Sequence, residues 1–200
     1  EWIISWKKGG HGKVNLTGAL RESCDVFFYE MAQRIGIDGI SAMNGRLGLG
    51  QKFDLPLSGM SKEINPSREW KQQKYKLEWL IGDTINASIG QGYTAATPMQ
   101  LATMVARMAS DRAVTPRFVR PADGTDIPAS PLGVDATNLA MVHQGMFEVS
   151  NSERGTAYAS RIADPALAMA GKTGSSQVFS ITADERAPGV RSQAELPWNR

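Results

Sequence analysis

Two hundred residues, 42% apolar and 21% charged, carry enough core-forming side chains for a packed globular domain, which excludes wholesale disorder. A net charge of +2 is too small for the basic face that nucleic-acid binding needs, and the apolar runs are too short to cross a bilayer. One cysteine, Cys24, excludes an internal disulfide framework.

The chain opens at Glu1 rather than Met and stops at Leu196-Pro197-Trp198-Asn199-Arg200 without a closing element, so it reads as a piece of a longer protein. Trp6 to Gly12, WKKGGHG, is a loop by its glycines and charges. Asn15 or Thr17 is expected to cap a short helix through Arg21. A second helix follows over Val26 to Ile35, with Phe27, Phe28, Met31, Ala32 and Ile35 on one stripe and Gly36 as its stop. Asp38 to Arg46 is a further short helix. Gly48, Gly50, Pro56 and Gly59 then punctuate a long loop, and residues 60–82 have no clear pattern. Within them Lys71, Lys74 and Lys76 read as a solvated helix face between Trp70 and Trp79. Asn86 to Tyr93 carries two glycines two apart, which favours a tight, non-regular backbone. Thr97-Pro98 marks a helix start, with Leu101, Met104, Val105 and Met108 at helical spacing. Val114 to Val119 is an expected strand or extended arm limited by Pro116. Asp135 is expected to cap a helix carrying Leu139, Val142, Met146 and Val149 on one side, with His143 at its surface. Ala166 to Ser176 is the best strand candidate, and Thr182 to Asn199 an exposed excursion. Helices followed by a late strand suggest an α+β fold with helices gathered on a sheet.

Two motifs carry chemistry. In Lys172-Thr173-Gly174 the ammonium attracts a ligand carboxylate, the hydroxyl adds a hydrogen bond, and the glycine permits close backbone approach. A phosphate-binding loop is the rival reading of that tripeptide. It fails because Ala166 stands where its first glycine belongs and the β-forming stretch after Gly174 does not open a helix. In Ser23-Cys24-Asp25 a hydroxyl and a carboxylate two apart can face one cleft from a tight turn; helix capping is the bland alternative.

Ser23-Cys24-Asp25-Val26-Phe27-Phe28-Tyr29, the Gly90-Gln91-Gly92 to Thr97-Pro98 stretch, Gly155-Thr156-Ala157 and Ala170-Gly171-Lys172-Thr173-Gly174 together resemble class B penicillin-binding proteins. WKKGGHG and RSQAELPWNR are similar to the penicillin-binding protein 2 group within them. The resemblance covers essentially the whole chain. It implies a penicillin-binding, serine β-lactamase-like transpeptidase fold, here over 1–200 without the upstream Ser-x-x-Lys helix and the later strands. The implied enzyme is a D,D-transpeptidase that cross-links peptidoglycan stem peptides through a serine acyl-enzyme and is acylated by β-lactams. Ser23, Asp25 and Lys172 would be catalytic, with Ser23 assisting proton transfer. Lys172 and Thr173 would hold the substrate carboxylate, Gly174 would admit it, and Ser175 would supply an oxyanion-hole N–H.

The only Ser-x-x-Lys here, Ser5-Trp6-Lys7-Lys8, lies too near Ser23 and runs into Gly9-Gly10 where a buried helix should start. The resemblance therefore places the nucleophile before Glu1, and the 200 residues alone are expected to be inactive. No cofactor is required for the reaction. Some relatives in the group hold a structural zinc through the loop histidine and the motif cysteine, which would be His11 and Cys24; a small buried thiol and a loop histidine are the alternative. A membrane glycosyltransferase is the implied partner, and the parent is expected on the periplasmic side of the inner membrane. The rivals are a D,D-carboxypeptidase or β-lactamase-type hydrolase, and a non-catalytic β-lactam sensor or scaffold.

Overall fold

The computed structural model describes residues 7–56, 61–119, 121, 122, 125 and 128–175. Helix α1 (Leu16–Arg21) starts where the Asn15 side chain accepts the Gly18 N–H at 2.9 Å. Helix α2 (Asp25–Leu47) is two helical pieces joined at Gly36, whose φ of 76° and ψ of 163° break the helical run. Gly36 thus ends the first piece as expected, and the second covers the expected Asp38 to Arg46. Gly48 closes α2 at φ 101°.

Residues 60–82, unassigned from the sequence, contain α3 (Arg68–Tyr75), capped by Ser67, and the start of α4 (Ile81–Ser88). Hydrophobic periodicity misses α3 because it is almost wholly polar. The signal that identifies it is the cap, with Ser67 Oγ accepting the Trp70 N–H at 3.1 Å. The non-regular backbone expected from Asn86 begins three residues later, since Asn86 to Ser88 complete α4; Gly90 and Gly92 follow at φ 75° and 70°. Helix α5 (Pro98–Ser110) opens with reciprocal bonds between Thr97 and Gln100, and α6 (Ala136–Asn151) opens on Asp135, which accepts from the Thr137 and Asn138 N–H groups.

Helix α1 packs along α6, while α2 packs against α4 and α5. Gly145 sets the first seam: a Cβ there would stand 2.7 Å from Leu20 Cδ1. Ala19, Ala32, Ile37, Leu139, Met146 and Val149 fill the interior. Two buried polar side chains tie the loops to α5. Gln100, 0% exposed, donates to the Gln51 and Lys62 carbonyls while its own oxygen takes the Thr97 N–H. Arg107 donates to the Val114 and Arg46 carbonyls and to Gln51 Oε1.

Three local expectations are corrected. Among the described residues no strand forms. Val114 to Val119 is not one, the nearest pairing being a single antiparallel bridge between Arg112 and Pro131. Of Ala166 to Ser176, the described part begins in a 3₁₀ turn (Pro165–Leu167) and continues unpaired. Its polar groups meet α6, with Gly171 N–H donating to Met146 O at 3.0 Å and Asn151 Nδ2 to Met169 O at 2.9 Å. Lys71 is not solvated: it is 3% exposed and its ammonium lies 2.5 Å from Asp83 Oδ2, over the rings of Trp79 and Tyr93. Ser5, Ser176 and the excursion from Thr182 lie outside the described residues.

Candidate active site

The Ser-Cys-Asp triplet occupies the corner between α1 and α2. Ser23 N–H donates to Leu20 O at 3.3 Å and Cys24 N–H to Ala19 O at 2.9 Å, so the chain reverses within two residues. Ser23 adopts φ 51°, a left-handed conformation that disfavours a side chain with a Cβ. Cys24, buried, takes the cap position of α2 without a side-chain cap bond, and Asp25 is its first helical residue. The capping alternative for Ser23 and Asp25 is therefore set aside. The Asp25 carboxylate at the helix N-terminus also suits the helix dipole.

A buried carboxylate fixes that corner. Glu22, 4% exposed, meets Lys7 Nζ at 3.2 Å, Arg21 Nη2 at 2.9 Å and Arg154 Nη2 at 2.7 Å, while Arg21 also pairs with Glu148 of α6 at 2.8 Å. Burial pushes the Glu22 carboxyl up. The hydrogen bonds from Arg21, Lys7 and Arg154 outweigh it and hold the group down at about 2. No motif flags Glu22, because its partners stand up to 132 residues away.

From the far end of the chain, the segment through Lys172 reaches the same corner. Lys172 Nζ donates to Ser23 Oγ, to Thr173 O at 3.1 Å and to Thr173 Oγ1 at 3.3 Å. Thr173 Oγ1 stands 3.4 Å from Ser23 Oγ and 2.7 Å from Thr156 Oγ1. Burial pushes the Lys172 ammonium below the ordinary lysine value, and the Asp25 carboxylate pulls the other way. These residues, with Gly174 and Ser175, line a groove of about 690 Å³. Phe28 of α2, Ser88 and Ile89 from the end of α4, Gln91, and Met104 of α5 complete it. The structure thus brings Ser23, Asp25, Lys172, Thr173, Gly174 and Ser175 to one groove, 149 residues of sequence separating Ser23 from Lys172.

Such a groove suits an anionic end group. An ammonium and the hydroxyls of Ser23, Thr156 and Thr173 converge at one wall, and no atom of the described residues lies within 4 Å of where a Cβ on Gly174 would stand. His11 and Cys24 are the two candidate metal donors. Among the described residues no three His, Cys, Asp or Glu side chains gather to hold an ion, so these two are at most half of the four donors a structural zinc takes. His143 stays exposed on α6, its Nε2 2.8 Å from Met108 O.

Residues 1–188 match the penicillin binding protein transpeptidase domain family. The chain belongs to that family. Among curated relatives, the peptidoglycan D,D-transpeptidase MrdA of Escherichia coli K12 is 36% identical over 90% of this chain and 30% of its own length. The penicillin-binding protein 2 of Pseudomonas aeruginosa, solved in complex with WCK 5153, matches 87% of this chain and 41% of its own at 38% identity and a TM-score of 0.78. That of Helicobacter pylori, solved in complex with MreC, matches 87% of this chain and 32% of its own at 34% identity, also with a TM-score of 0.78. The chain thus spans about a third of the length of the curated relatives it matches. Within this transpeptidase family the mostly helical described region belongs to the expected α+β architecture. Thr156 and Glu22, neither singled out for chemistry from the sequence, belong to the same corner as the two motifs.

Proposed function

We propose that this chain forms the carboxylate-gripping wall of a serine D,D-transpeptidase that cross-links peptidoglycan. The observation that carries the reading is the convergence of Ser23, Lys172 and Thr173 on one groove. The ammonium and the Thr173 hydroxyl would hold the terminal carboxylate of a D-Ala-D-Ala stem peptide. A serine outside these residues, before Glu1, would attack the penultimate carbonyl and release D-alanine. An amine of a neighbouring stem peptide would then attack the ester, restoring the serine hydroxyl and closing the cross-link. Ser23, bonded to Lys172, would pass a proton to the leaving amine, and Ser175 N–H would serve the oxyanion. No cofactor enters these steps. A structural zinc would need donors beyond His11 and Cys24.

The glycan strands to be joined require a membrane glycosyltransferase as a working partner, and the Helicobacter pylori neighbour's complex supports a MreC-like one. The proposed location is the periplasmic face of the inner membrane, with an anchor outside the described residues, none of whose helices is long and apolar enough to cross a membrane. The test is labelling with a fluorescent penicillin. The full-length protein is expected to label at a serine before Glu1 and residues 1–200 alone to stay dark. Covalent labelling at Ser23 or Ser5 would overturn the assignment. Product analysis with and without an acceptor amine separates a transpeptidase from a D,D-carboxypeptidase or β-lactamase-type hydrolase on the same fold.

A further inference from the structure

The Thr156 hydroxyl stands 2.7 Å from Thr173 Oγ1, yet it comes from the turn after α6 and not from either motif. Its position is set independently of the groove. Thr156 N–H donates to Arg21 O at 3.2 Å, and the flanking N–H groups of Gly155 and Ala157 donate to Ser152 O and Val149 O at 2.8 and 3.0 Å. The turn packs so tightly that a Cβ on Gly155 would fall 2.2 Å from Val149 O.

We propose that Thr156 is a positioning residue for carboxylate capture, its hydroxyl donating to Thr173 Oγ1 and so turning the Thr173 hydrogen into the groove. The assignment follows from counting donors. A threonine oxygen accepts two hydrogen bonds and gives one. The Lys172 ammonium, which only donates, fills one acceptor site of Thr173 Oγ1. If Thr173 gave its hydrogen to Thr156, none would remain for a ligand. If Thr156 donates, both acceptor sites of Thr173 are filled and its hydrogen is released. Ser23 Oγ, at 3.4 Å, is a poor competitor for that hydrogen. A carboxylate, which only accepts, is the ligand group that such a hydroxyl recognises.

The inference rests on the proposed grip of Lys172 and Thr173 on a carboxylate. It is tested in the full-length protein with a penicillin bearing a free carboxylate and with its carboxyl methyl ester. Thr156→Val is expected to slow acylation by the free acid about tenfold and by the ester no more than about twofold. Thr156→Ser is expected to keep the wild-type rate within about twofold, and Thr156→Val to add no further loss to Thr173→Val. Equal losses on acid and ester, no loss on the acid, or a serine variant as slow as the valine one would each overturn the proposal. Should Thr156→Val not fold, Thr156→Ala makes the same comparison. Failure of both to fold would mark a structural residue and overturn it too. Wild-type protein that neither compound acylates would instead remove the transpeptidase reading itself.

Discussion

The Lys172 ammonium lies within hydrogen-bond reach of Ser23 Oγ, Thr173 O and Thr173 Oγ1 at the groove wall. Its positive charge is what would hold a carboxylate, and burial lowers the pH at which that charge is lost. The charged form exists below the folded pKa, so ligand capture is expected to fade as pH rises through a value under the ordinary 10.5. The check is the pH dependence of kcat/KM for a carboxylate-bearing substrate in the full-length protein: an alkaline limb at or above 10.5 would contradict the environment assigned to Lys172. Removing the ammonium with Lys172→Ala is expected to lower acylation by about a hundredfold, read from the rate of penicillin labelling. Both motifs were legible beforehand because they are short, local and chemically distinctive. Glu22 was not, since an ordinary Arg-Glu-Ser run at a helix end carries no trace of the two further cations, Lys7 and Arg154, that the fold brings to it.

At the level of elements, the caps were the most readable features. Asn15, Thr97 and Asp135 start their helices as expected because a side-chain oxygen meeting an orphan N–H is a local event. Strands were the least readable, because a strand exists only through a neighbour and none of the described residues offers Ala168 to Ser175 a ladder. The turn after α6 makes a sharper demand. A methyl group on Gly155 would meet two main-chain oxygens, Val149 O at 2.2 Å and Glu148 O at 2.4 Å, neither of which can swing aside. Gly155→Ala is therefore expected to lower stability by about 2–3 kcal/mol, measured by denaturant unfolding. It should also slow penicillin acylation, since the same turn carries Thr156. A variant as stable as the parent would show that the turn relaxes.

Across the whole molecule, one ionic network joins the first and the late segments of the described chain: Lys7, Arg21, Glu22, Glu148 and Arg154. Because the Glu22 carboxyl titrates at about 2 when folded against 4.5 ordinarily, its contribution is complete above the higher value and lost as pH falls through that window. The shift corresponds to about 3 kcal/mol at neutral pH. Glu22→Gln is expected to remove most of that amount and to flatten the acid limb of a stability-versus-pH curve between 4.5 and about 2. An unchanged acid limb would place the pH sensitivity elsewhere. The family was legible in the order of its motifs. That family also led Ser23, Asp25 and Lys172 to be expected at one site, but the packing of α1 on α6 that joins them was not legible, because it depends on how helices far apart in the chain lie on one another.

That relation runs through one joint. Ser23 hangs from the end of α1, and the Lys172 segment is tied to α6 through Gly171 and Asn151. The closeness of α1 to α6 is in turn set where Leu20 lies on the bare backbone of Gly145. Prising that joint open by about 1 Å would pull the two walls out of register at once, a displacement large enough to cripple positioned chemistry. The groove is therefore adjustable from behind: a bulkier side chain or a small wedge there would shift its two walls apart while leaving its mouth empty and its lining residues intact.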